Sequence, residues 1–143
     1  MTTEPPLACA FGRALLARHA GCPLATLALE GEAERPRCAA PVANANCGTL
    51  RSQLRERATF ALRLPPPGAP LPHAAELRLQ CGGLRGLAQA LGDAPGAPTD
   101  VHALVARAQQ RFGGLLGIPF EPVVAAIVRW EGRARSAGGR DAG

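Results

Sequence analysis

Lysine and tyrosine are absent from this sequence, and tryptophan and methionine occur once each. With aromatic residues at 3%, a core has to be assembled from Leu, Ala and Val, which suits helices packed closely through small side chains. Because lysine is missing, all sixteen basic residues are arginine. Set beside the abundant Ala, Gly and Pro, this reads as the bias of a GC-rich, bacterial-like genome. The net charge of +5 would ordinarily suggest a phosphate-binding surface. Its distribution argues otherwise: residues 1–64 carry eight Arg and five acids, and residues 65–143 carry eight Arg and six acids. No basic stripe results, and nucleic acid is not the expected partner. The sequence also lacks an apolar run approaching the roughly 18 residues of a membrane span. The start, Met1-Thr2-Thr3-Glu4-Pro5-Pro6, has neither the charge nor the apolar stretch of a secretory leader, so a cytoplasmic location is expected.

Cysteine is present in an odd number, five, and four of the five fall early: Cys9, Cys22, Cys38 and Cys47. In a chain expected to stay in a reducing compartment this argues for reduced thiols and against a disulfide framework.

Apolar periodicity predicts a mainly α fold, a small single-domain helical bundle over residues 1–135. It has a cysteine-rich half at 1–64, a C-terminal helical pair at 99–135 and a disordered tail at 136–143. A first helix is expected behind Thr3 as cap, through Pro5 and Pro6, with Leu7, Phe11, Leu15 and Leu16 on one face, ending at Ala20. Residues 23–40 read as a long cysteine-bearing loop. A second helix over 46–64 keeps Leu50, Leu54, Ala58, Ala61 and Leu62 on one face. Asn46 caps it, Pro65, Pro66 and Pro67 end it, and Cys47 then stands in its first turn.

Beyond a Pro-rich connector at 65–72, the alternation Leu77-Arg78-Leu79-Gln80 allows at most one short strand pair, unless Glu76–Leu84 continues as helix. Leu84, Leu87, Ala88 and Leu91 mark a helix closed by Gly92, and Gly92–Pro98 is a linker. Asp100 caps a helix carrying Val101, Leu104, Val105, Ala108 and Phe112. After Gly113 and Gly114, a last helix with Val123, Val124, Ile127 and Val128 is expected to end near Arg135. A packing helix outweighs a helix-turn-helix reading of this pair, because those apolar residues need burial and leave only Arg129, Arg133 and Arg135 outside.

Four cysteines within 39 residues suit a Cys₄ ligand set, as used by iron–sulfur clusters and by many structural zinc sites. The intervals are twelve, fifteen and eight residues, and none is the short knuckle typical of structural zinc. That favours a cluster over zinc. One geometric conflict stands out: on one continuous helix, Cys9 and Cys22 would lie about 20 Å apart. Either Gly12 delays the helix so that Cys9 folds back on a loop, or Cys9 is outside the set and Cys81 or His19 takes its place. A helix start at Cys47 and the flanking Arg35 and Arg37 at Cys38 would favour thiolates. Gly48 after Cys47 and Pro23 after Cys22 would let backbone approach a sulfur closely or hold a turn rigid.

The expected metal ligands are therefore Cys9, Cys22, Cys38 and Cys47, holding an iron–sulfur cluster or, alternatively, zinc. The expected role is electron transfer, cofactor supply or sensing, with a protein partner. Two other classes remain open: a cofactor-free helical interaction module in which the cysteines simply pack, and a thiol-dependent enzyme using Cys81 with His73 as base. The Gly-Gly-x-x-Gly run from Gly82 lacks the residues of a phosphate loop.

Overall fold

The computed structural model describes residues 7–131. The chain is mainly α, with five helices among the described residues and a small antiparallel sheet near the N-terminus. In order, the elements are β1 (Leu7–Ala8), α1 (Gly12–Leu16), β2 (Ala25–Glu30), β3 (Ala33–Cys38), α2 (Pro41–Leu62), α3 (His73–Ala90), α4 (Val101–Phe112), a 3₁₀ turn at Leu115–Gly117 and α5 (Phe120–Arg129). The strand order is β1-β3-β2, with both pairings antiparallel.

The sheet corrects two expectations. Residues 23–40 form a hairpin rather than a loop, and three strands stand where at most one pair was expected. Ala25–Glu30 and Ala33–Cys38 pair in register across a two-residue turn, Gly31-Glu32. Gly31 adopts φ +68°, the left-handed geometry that a two-residue hairpin turn requires at its first position. Glu30 then reaches back along the same face, accepting from Arg37 Nε at 2.6 Å.

The first helix is also shorter than its periodicity suggested. Leu7 and Ala8 pair with Cys38 and Arg37, and the Cys9 amide extends the ladder by donating to the Pro36 carbonyl at 3.1 Å. Helix therefore starts only at Gly12 and lasts five residues. The expected beginning of that helix at Thr3, Pro5 and Pro6, and the tail at 136–143, lie outside the described residues.

Helix α2 begins at Pro41, five residues before the expected cap at Asn46. Its N-cap, Ala40, offers no side-chain bond, and Pro41 needs no amide partner. It ends on Arg63 in a left-handed conformation (φ 54°), with Arg63 and Leu64 amides bonding back to Phe60 and Thr59. The proline connector follows, held by the buried Arg55, whose Nη2 donates to the carbonyls of Pro66 (2.9 Å) and Ala69 (2.6 Å).

The segment 77–80 is helical, since α3 runs unbroken from His73 to Ala90. Its three glycines serve packing. A Cβ on Gly82 would stand 2.6 Å from the Ile127 Cα, and one on Gly86 would stand 2.9 Å from the Val123 Cα. The α5 backbone thus lies directly on the glycine face of α3, and this is the most extensive helix pairing in the fold. Asp100 caps α4 as expected, accepting from the Ala103 amide at 2.9 Å. Helix α5 ends at Arg129, short of Arg135, with Trp130 already extended.

Leu54, Leu79, Leu84, Val101, Val123 and Ile127 form the centre of the core. Phe11 and Ala14 close its N-terminal end. A polar thread crosses beneath α1: Arg51 donates to Glu76, Gln80 donates to Glu76 at 2.7 Å, and the Gln80 oxygen accepts from the Ala14 amide at 3.1 Å.

Candidate metal centre

The four early cysteines sit on four different pieces of backbone. Cys9 lies on the turn between β1 and α1, its amide on the Pro36 carbonyl and its own carbonyl accepting from Gly12 at 3.1 Å. The length conflict between Cys9 and Cys22 is thus resolved by the late helix start at Gly12. Cys22 precedes β2, and its carbonyl accepts from the Ala25 amide at 3.1 Å. Cys38 ends β3, opposite both Leu7 and Ala25, and its thiol donates to the Ala40 carbonyl at 3.5 Å.

Cys47 is on α2, one turn beyond Asn44 and so on the same helix face. Asn44 Nδ2 donates to the Ala8 carbonyl at 2.8 Å, which turns that face toward the strand leading into Cys9. The sheet register and this side-chain bond bring the four positions to one end of the molecule.

Sequence reasoning missed one support, the clasp at Gly21. The Gly21 amide donates to the Pro98 carbonyl, and its carbonyl accepts from the Val101 amide, each at 2.9 Å. The linker before α4 therefore fixes the position of Cys22. The residue types gave no signal for this, since the contact is backbone to backbone between segments nearly 80 residues apart.

All five cysteines are free thiols. Cys38 is buried, and Cys9, Cys22 and Cys47 are half-buried against the edge of the core. Burial first, and then charge on Cys9, Cys22 and Cys38, pushes the Cys47 thiol up to about 12. Burial likewise raises Cys9; a hydrogen bond from the Phe11 backbone opposes the rise, and Cys22 and Cys38 add to it. The four sulfurs are therefore near enough to act on one another electrostatically. Among the described residues, no group of three or more His, Cys, Asp or Glu side chains is placed so that it could hold a metal ion.

Two sequence arguments for thiolate character are corrected. Cys47 is in the second turn of α2, not the first, so it gains little from the helix dipole. Arg35 and Arg37 alternate with Cys38 along β3 and point to the opposite sheet face, where Glu30 accepts from Arg37. Gly48 is also less special than expected, because a Cβ there would meet nothing within 4 Å.

Cys81 stands inside α3, 1% exposed, and not before a helix start. Burial pushes its thiol up to about 12, against a smaller opposing effect of Arg85. His73 is eight residues earlier on the same helix, about 12 Å along the axis, and its Nδ1 faces Arg13 Nη1 at 2.6 Å. His19 packs its ring edge-on to Trp130, with centroids 5.2 Å apart.

No family model matches this chain, and neither does any curated protein or solved structure. Among the described residues, no helix is long and apolar enough to cross a membrane.

Proposed function

We propose that this chain is a small cysteine-ligated metal protein, with Cys9, Cys22, Cys38 and Cys47 as ligands and an iron–sulfur cluster as the bound group. The observation that carries the reading is the convergence of these four thiols from a turn, a loop, a strand end and a helix onto one end of the fold. Their mutual electrostatic influence supports it. Four sulfurs, partial burial and a peptide hydrogen bond from Phe11 to Cys9 are the chemistry a cluster uses. Among the described residues, however, the side chains as placed form no group that could hold a metal ion, so binding requires them to close together. A bound cluster would supply one-electron chemistry. The chain's own part is to bring four sulfurs together and to limit water around them.

Five free thiols support a reducing, cytoplasmic setting. A role in electron transfer, cofactor supply or sensing calls for a protein partner that gives or receives the electron or the cluster. Zinc is the alternative occupant of the same four thiols; the absence of a short cysteine knuckle weighs against it.

The test is metal content after anaerobic purification. Iron and sulfide in stoichiometric amounts with broad visible absorbance support the cluster, and stoichiometric zinc in a colourless protein supports the alternative. Single Cys→Ser changes at 9, 22, 38 and 47 should each lose the metal, while Cys81→Ala should keep it. If all five variants match the wild type in metal content, the cysteines are packing residues and the chain is a cofactor-free interaction module.

A further inference from the structure

A cleft of about 660 Å³ opens between α1, β3 and the first turn of α3. Its charged lining is Arg13, Arg35, Arg37, Arg51 and a single acid, Glu76, with His73 beside them. Glu76 is committed to Arg51, which donates Nε to Oε2 at 3.0 Å, and to Gln80. Glu30, which lies outside the lining, takes Arg37 and stands 3.9 Å from Arg35 Nε, an arginine whose side chain is 61% exposed. The cleft and its edge thus hold four guanidiniums against two carboxylates.

The unbalanced charge is concentrated at Arg13. Its Nη1 donates to Nδ1 of His73 at 2.6 Å. Arg13 is thereby held toward the cleft by an imidazole; its charge acts on Glu76, but among the described residues it makes no ion pair, and its other donors are left for a ligand. The wall beside it is apolar or small, formed by Leu16, Ala17, Gly12 and Pro36. Leu16 is 44% exposed there, an apolar surface at a cationic rim.

We propose that this cleft binds a small organic anion, a carboxylate or phosphate ester, whose charged end is held by Arg13 and whose apolar body lies on Leu16 and Pro36. The planar donor fork of arginine matches both head groups, and a concave site with few polar groups on an apolar wall is the usual form of a small-molecule site. The site does not depend on the four thiols holding metal. Cys9 lines the same cleft, so an occupant would lie beside one of the proposed ligands.

The experiment is a titration of the full-length chain, at constant ionic strength, with butyl phosphate and separately with hexanoate, followed by ¹H–¹⁵N correlation spectra. Saturable shifts confined to residues around Arg13, Leu16 and His73 are expected, and the probe that saturates first identifies the head group. Arg13→Gln, at an exposed position, should leave the rest of the spectrum in place and weaken binding about tenfold or more, the loss of one charge-assisted contact. Leu16→Ala should weaken butyl phosphate and spare inorganic phosphate. Shifts that never saturate, or that appear equally at Arg57 and Arg111, overturn the proposal. So does an Arg13→Gln variant that binds as the wild type does.

Discussion

Asn44 holds the carbonyl of Ala8 at 2.8 Å, and through that one bond the helix turn bearing Cys47 is fastened to the strand that leads into Cys9. Asparagine is a poor helix former, so its place inside α2 costs several tenths of a kcal/mol relative to alanine. The bond compensates by fixing the two backbones that present two of the four thiols. Asn44→Ala should therefore leave helix content and the thermal midpoint of the metal-free chain nearly unchanged. Metal affinity should fall by about 10–100-fold, the range for loss of a group that orients a ligand. Competition with a chelator measures the affinity, and an unaltered value would mean that Asn44 does not position the site.

The α3–α5 contact makes a second prediction through its glycines. A methyl group at Gly82 or Gly86 would enter the α5 backbone, at 2.6 Å from Ile127 Cα and 2.9 Å from Val123 Cα. Neither backbone can yield without moving a whole helix. Gly82→Ala and Gly86→Ala should each lower the free energy of unfolding by about 1–3 kcal/mol, as overpacking does. Gly48→Ala is the control, because the space above Gly48 is open. There the better helix propensity of alanine should raise stability by about 0.5–1 kcal/mol. Urea midpoints of the three variants decide the matter, and three shifts of one sign would contradict it.

The helices of the second half were legible because their apolar residues recur at the helical period and their ends carry ordinary signals. Asp100 and Gly113 bound α4 where the sequence placed them. The N-terminal third was misread for a physical reason. Phe11 and Ala14 do face the core, so a helical period was present, but the pairing of Leu7 and Ala8 with β3 delays the helix. The hairpin was hidden because Leu27 and Leu29 stay 58% and 75% exposed, leaving no buried face to produce a clean alternation. Its turn, glycine followed by glutamate, was the available signal. The four cysteines could be grouped from their crowding in the sequence, whereas the backbone clasp at Gly21 and the side-chain tie from Asn44 to the Ala8 carbonyl are long-range bonds that residue types do not announce.

Glu76 predicts an acid dependence of stability. Burial alone would raise its carboxyl, but hydrogen bonds from Arg51 and Gln80 and the charges of Arg51 and Arg13 outweigh that effect, so its pKa lies below the ordinary 4.5. A group depressed in the folded state contributes stability that is complete above its unfolded value and is lost as the pH falls through its folded value. The chain should therefore lose stability on acidification below about pH 5. Glu76→Gln should be weaker at neutral pH by about 1–3 kcal/mol, with a shallower acid limb. Denaturation midpoints between neutral and strongly acidic buffer check this, and parallel curves for the two proteins would refute it.

Cys47 sets the opposite dependence at alkaline pH. Burial first, and then charge on Cys9, Cys22 and Cys38, pushes its thiol from 9.0 to about 12. The folded chain thus holds a proton that the unfolded chain gives up earlier. Such a group contributes stability that is full below the unfolded value of 9.0 and disappears as the pH rises toward about 12. The metal-free chain should lose stability through that window, and Cys47→Ser should flatten the alkaline limb. A metal reverses the sense, because ligation requires the thiolate and a bound cation relieves the repulsion among four of them. Uptake of Zn(II) by the anaerobic, metal-free protein at neutral pH should release about four protons if all four thiols ligate. It should also tighten as the pH is raised. A weakly buffered titration with an indicator dye counts the protons. Uptake without proton release would place the metal on other groups and remove the four cysteines from the site.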